Sequence, residues 1–187
     1  TIVNEGSQML ENFGIMQCEK GQLSEGMTNI KEAQDLIWAH WTRTAGTKGG
    51  TGKDVISMMP KEVKMGLVGS YYNLAVCVEG RADQEPGQAR ALSEEAAEHI
   101  VTAQRVLASI YPNAGTVSAG GLERVVRSVD GEGEAERPLE GEELKQVTMM
   151  WEAISQRAEH LEQKLVQLPA DTGKRKVLRK KRKSSTK

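Results

Sequence analysis

Few residues in this 187-residue chain have the type and spacing to do chemistry. Thr47-Lys48-Gly49-Gly50-Thr51-Gly52-Lys53-Asp54 comes nearest to a phosphate-binding loop. That motif needs Gly, four residues, then Gly-Lys-Ser/Thr, so that backbone N–H groups cradle phosphate and the hydroxyl holds Mg²⁺. Here Thr47 stands where the first Gly belongs and Asp54 replaces the hydroxyl, so the loop would repel the phosphate it should bind. His40, His99 and His160 are far apart, and none lies at ligand spacing from a Cys or another His. Cys18 and Cys77 sit among apolar neighbours, which suits buried free thiols in a reducing compartment. The carboxylates fall on solvated helix faces, with no pair placed for acid–base work. No enzyme activity, cofactor, metal or small-molecule substrate is expected.

Two other clusters remain. Trp38 and Trp41 share one helical face, and packing explains them better than a partner's anchor site, since one isolated cluster is thin evidence for an interface. The block Lys174, Arg175, Lys176, Arg179, Lys180, Lys181, Arg182 and Lys183 is dense in charge but has no aromatic for stacking on bases. It suits non-specific polyanion contact, nuclear import or docking on an acidic cytoskeletal surface. With it, residues 169–187 read as a disordered basic tail. Residues 174–187 hold nine bases and no acid, which leaves 16 bases against 26 acids in the rest. The near-neutral net charge of −1 therefore combines an acidic body with a basic tail.

The elements that would position these residues are helical. Aromatics make up only 4% and apolar residues recur at helical spacing, so the expected fold class is all-α. A first helix spans about Glu5–Glu19, with a turn at Lys20-Gly21-Gln22. A second starts behind Ser24 as N-cap and runs through Trp41. Thr42–Gly52 reads as a loop, and Pro60 suits the first turn of a third helix. A second helical pair follows, with Ala75 in the role of Gly14 and with Ala96 and Ala103 in those of Gly26 and Ala33. The first-helix match shifts by 61 residues and the second-helix match by 70, which puts nine extra residues between Gly80 and Arg90. Residues 1–113 thus form two helix–turn–helix units. In 114–143, Val117–Val129 suits a degenerate helix, and Asp130–Glu143 an acidic disordered insert. Leu144, Val147, Trp151, Ile154, Ala158, Leu161, Leu165 and Leu168 recur at alternating spacings of three and four, a long helix over 144–168 that Pro169 stops. It either caps the repeats or pairs with another chain as a coiled coil; the unequal knobs Trp151 and Ala158 favour the cap. No apolar run is long enough to span a membrane and no secretory signal is visible. The start at Thr1 instead of Met leaves open that this is a piece of a longer chain.

The units Asn4–Trp41 and Lys61–Tyr111, with small residues at Gly14, Gly26, Ala33, Ala75, Ala96 and Ala103, resemble tetratricopeptide (TPR) helix–turn–helix repeats. The resemblance implies an array that binds proteins and whose first helices line a groove. Asn12, Met16, Gln17, Glu19, Asn73, Val76 and Glu79 would then face the ligand. These first helices carry Glu5, Glu11, Glu19 and Glu79 and few bases, so a basic protein partner fits better than an acidic tail. The expected function is a non-enzymatic scaffold or adaptor in a larger assembly, including ciliary or cytoskeletal ones, in the nucleus or cytoplasm. The alternative is a nuclear chaperone for basic proteins. Interrupted repeats, acidic insert, long helix and basic signal resemble histone chaperones of the nuclear autoantigenic sperm protein type, although the insert here follows the second unit and is short.

Overall fold

The structure, a computed structural model, describes residues 2–47, 55–112, 127–128 and 137–169. Among these residues there are six helices: α1 Ile2–Glu19, α2 Leu23–Thr47, α3 Val55–Met58, α4 Lys61–Gln84, α5 Ala89–Ile110 and α6 Gly141–Gln167. Among the described residues the strands are a two-residue antiparallel pair, β1 Arg127–Ser128 with β2 Arg137–Pro138. The helical class expected from composition is what forms.

The first hairpin turns on Gly21, whose φ of 79° is a left-handed value that costs glycine nothing. Gln22 N–H donates to Gln17 C=O and Gly21 N–H to Cys18 C=O, both at 2.9 Å. This crossed pair closes the orphan carbonyls at the end of α1. The next helix begins one residue before Ser24, so the N-cap position falls on Gln22, whose carbonyl accepts from Gly26 N–H at 3.0 Å. Above the turn, α1 and α2 touch backbone to backbone. A Cβ on Gly14 would lie 2.7 Å from the Gly26 carbonyl oxygen, and one on Gly26 would lie 2.6 Å from that of Gly14. In the second hairpin, α4 and α5 put the fully buried Ala75 and Ala96 at the matching places.

Several expected boundaries move. Residues 42–47 continue α2 where a loop was expected, because Ala45 is buried and Thr44 bonds back to the His40 carbonyl; packing overrides weak helix propensity. Pro60 occupies the N-cap position of α4, with extended backbone, and so precedes the first turn. The nine extra residues of the second unit do not form a long turn. Ala75 lies nine residues from the end of α4 where Gly14 lies five from the end of α1, and α5 starts correspondingly early, which leaves Glu85–Gln88 as the connection. The added turns form helix because Val78, Ala82, Ala89 and Leu92 continue the buried face. Arg127 and Ser128 are strand, so the helix expected over Val117–Val129 does not reach its end; the rest of that stretch lies outside the described residues. Within the stretch expected to be disordered, Leu139 is buried and α6 starts at Gly141. Residues 48–54, most of the loop-like Thr47–Asp54 motif, 113–126, and the basic tail with Lys174 to Lys183 lie outside the described residues.

α4 is the hub. It buries residues around most of its circumference, from Val63 and Leu67 to Leu74, Val78 and Ala82, because α1, α2, α5 and α6 all pack on it. The long helix α6 spends its stripe on its own chain, with Val147, Ile154 and Leu161 buried in the common core. It runs parallel to α4: Lys61 pairs with Glu143 near their starts at 2.7 Å, and Asp83 with Lys164 near their ends at 2.6 Å. Arg90, at the start of α5, donates to the carbonyls of Leu165 and Leu168 and so satisfies the last turn of α6.

Candidate protein-docking surface

The seven groove candidates lie on α1 and α4, which run side by side in the same direction. Glu11 on α1 accepts hydrogen bonds from Ser70 and Asn73 on α4, and farther along the thiols of Cys18 and Cys77 meet. Burial pushes the Glu11 carboxyl above the usual glutamate range, and the two hydrogen bonds pull it partly back. Ser70 also receives Gln34 of α2 at 3.1 Å, so one polar seam joins three helices.

That seam sorts the candidates. Asn12, Met16 and Glu19 on α1 and Val76 on α4 are exposed. Asn73 is committed to Glu11, and Gln17 accepts from Asn29 of α2 at 2.5 Å. Glu79 is not available to a ligand, which corrects its assignment. Its side chain is 7% exposed, and three bases of α6 surround it: Arg157 at 2.5 Å, His160 at 2.8 Å and Lys164 at 3.6 Å. Burial works against the charge on Arg157, but hydrogen bonds to Tyr72 and Glu79 outweigh it and hold the guanidinium above its ordinary pKa. Sequence spacing placed Glu79 on the groove side of α4 and could not reveal that α6 occupies that place. Its signal was the run of bases Arg157, His160 and Lys164 at three- and four-residue spacing, one face of a helix aimed at a carboxylate.

The tryptophans pack. Trp38 donates its indole N–H to the Tyr71 hydroxyl at 2.9 Å, and both Trp38 and Trp41 lie against the core. Sequence reasoning missed a set of large apolar side chains at the surface of the first hairpin. Phe13 is 48% exposed, Met9 74%, Leu36 45% and Met16 41%. Met9, Phe13 and Met16 follow a four-then-three spacing, which is one face of α1.

Among the described residues no group of three or more His, Cys, Asp or Glu could hold a metal ion. No described helix is long and apolar enough to cross a membrane. A cleft of about 300 Å³ between α1 and α4 is walled by Glu11, Glu62 and Ile37, with no nucleophile on its lining beyond the Ser7 hydroxyl, which donates to the Asn4 carbonyl. Compared with known proteins, the chain matches no family model, no curated protein and no solved structure.

Proposed function

We propose that this chain is a non-enzymatic scaffold, built on TPR-like helical hairpins, that binds a protein partner through the exposed surface of α1 and the adjoining groove face of α4. The observation that carries the reading is the sidedness of α1. It presents Met9, Phe13 and Met16 to solvent, its exposed charged residues are Glu5 and Glu19, and it has no Lys or Arg. Exposed apolar groups ringed by one sign of charge suit a partner that is apolar and basic. Among the described residues α6 lies against α4 and α5, while the outward surface of α1 carries no packed helix, which supports this surface as the docking face.

The same acidity supports a second reading, a carrier of histones or other basic proteins, with the basic tail as import signal. Affinity capture from cell extract with the full chain, at low and at physiological salt, separates them. The scaffold reading expects a discrete partner kept at both salts and lost when Met16 and Val76 are changed to Asp. The carrier reading expects histones. Capture of nothing at physiological salt, or of the same proteins by the doubly substituted chain, would sink the scaffold reading.

A further inference from the structure

The internal repeat makes a specific statement about the exposed face of the first hairpin. Shifting α1 by 61 residues carries Met9, Phe13 and Met16 onto Ser70, Leu74 and Cys77 of α4. Shifting α2 by 70 carries Leu36 onto Val106 of α5. All four of those mates are buried: Ser70 at 1%, Leu74 and Val106 at 0%, Cys77 at 7%. They are buried on the side that meets the first hairpin. Ser70 bonds to Gln34 of α2, Cys77 meets Cys18 of α1, and Val106 shares a face of α5 with Glu95, which receives Lys31 of α2 at 2.6 Å. In the first hairpin the same positions are apolar and bare.

The charges repeat as well. Glu25 is the mate of Glu95. In the second hairpin that carboxylate accepts Lys31; in the first, Glu25 is exposed, with Glu32 further along α2. We infer that the end face formed by Met9, Phe13, Met16 and Leu36 docks a helix of a partner protein in the way that α2 docks on α4 and α5. That helix is amphipathic, with an apolar stripe for α1 and a Lys or Arg opposite Glu25. This rests on the scaffold reading and narrows it to one face and one partner chemistry. Burying several large side chains supplies the affinity, and the Glu25 pair sets the register. The intramolecular copy of this interface joins the two hairpins of the array, so its geometry is already one that these helices adopt.

The test uses the full chain and a fluorescent synthetic peptide with the sequence of α2, Leu23–Thr47, as stand-in for the partner helix. Fluorescence anisotropy should show binding, and sedimentation should show a monomer before the peptide is added. Phe13→Asp should weaken binding at least about tenfold, because a charge would be buried in the apolar contact. Val101→Asp, on an exposed face of α5, should leave it unchanged. Glu25→Lys on the chain, or Lys31→Glu in the peptide, should each cost about fivefold, and the two together should recover the loss. Circular dichroism checks that each variant stays folded. No binding, or binding indifferent to Phe13→Asp, would overturn the inference. So would a dimer of the chain that Phe13→Asp dissociates, since the occupant would then be a second copy. If Val76→Asp abolished binding while Phe13→Asp did not, the end-face inference would fail and the scaffold reading would stand.

Discussion

Arg157 on α6 donates to Glu79 on α4 across 2.5 Å, and this contact decides which part of the α4 surface is open to anything else. The Glu79 carboxylate is buried, and His160 and Lys164 complete its surroundings. An unpaired carboxylate there would be costly, and so would the bases left without it. The same contact ties the long helix α6 to α4.

Glu79→Gln should therefore loosen α6. The expected loss is about 2 to 4 kcal/mol, because the bases of α6 lose their partner in a partly desolvated site. Limited proteolysis would show earlier cleavage within 141–167 than in the parent chain. Unchanged cleavage and unchanged denaturant midpoint would mean that Val147, Ile154 and Leu161 hold the helix without help.

Gly14→Ala should be among the most damaging small substitutions in the first hairpin. The new methyl would meet the Gly26 carbonyl oxygen at 2.7 Å and Ile30 Cγ1 at 2.9 Å, and the first of these is backbone, which cannot swing aside. A loss of about 2 to 3 kcal/mol is expected from forcing the helices apart. Gly6→Ala, with nothing within 4 Å, is the control; it should be neutral or slightly stabilising. Equal melting temperatures for the two variants would contradict the close crossing.

His99 should make the fold acid-sensitive. Burial holds its pKa below the ordinary 6.5, with Glu95 pulling the other way. As pH falls past 6.5 the unfolded chain takes up the proton first, so this contribution is complete above that pH and is lost as pH drops through the lower folded value. Urea midpoints measured from pH 7.5 down to 5 should fall more steeply for the parent than for His99→Gln. Glu11, whose carboxyl is raised by burial, works in the opposite direction at the acid end, so the difference between the two chains is the informative quantity. Parallel curves would exclude His99 as the cause.

Cys77 should resist alkylation. Burial, and then the adjacent Cys18 thiol, push its pKa well above the ordinary 9.0, so the reactive thiolate is scarce at neutral pH. Mass spectrometry after iodoacetamide treatment at pH 8 should find Cys18, which is half-buried, modified first, and Cys77 modified only as the chain opens. Modification of both at one rate would show that the contact between α1 and α4 opens readily.

Local features were legible from the sequence because they depend on residues close in the chain. Gly21 marks the turn since no other residue takes its φ so cheaply, and the pairs Gly14 with Gly26 and Ala75 with Ala96 mark helix crossings since only small residues allow them. The helical class, the two hairpins and the stop before Pro169 follow from spacing of the same kind. Helix ends were less legible. Residues 42–47 and 80–84 read as loop, yet buried neighbours such as Ala45 and Ala82 keep them helical.

What the sequence could not determine is what faces what. Spacing put Glu79 among the residues that meet a ligand and gave no sign that Phe13 would be exposed; the fold buries Glu79 and leaves Phe13 bare. Both outcomes depend on elements distant in the chain. Glu79 is covered because α6, 78 residues further on at Arg157, lies parallel to α4 and brings its bases there. Phe13 is bare because its repeat mate Leu74 has a hairpin packed on that side, whereas Phe13 has none among the described residues. A helix's pattern specifies that it has a buried face, through local geometry and the free energy of apolar burial. Which neighbour covers that face, and which surface is left for a partner, is fixed by long-range packing and charge pairing between helices that only the tertiary structure brings together.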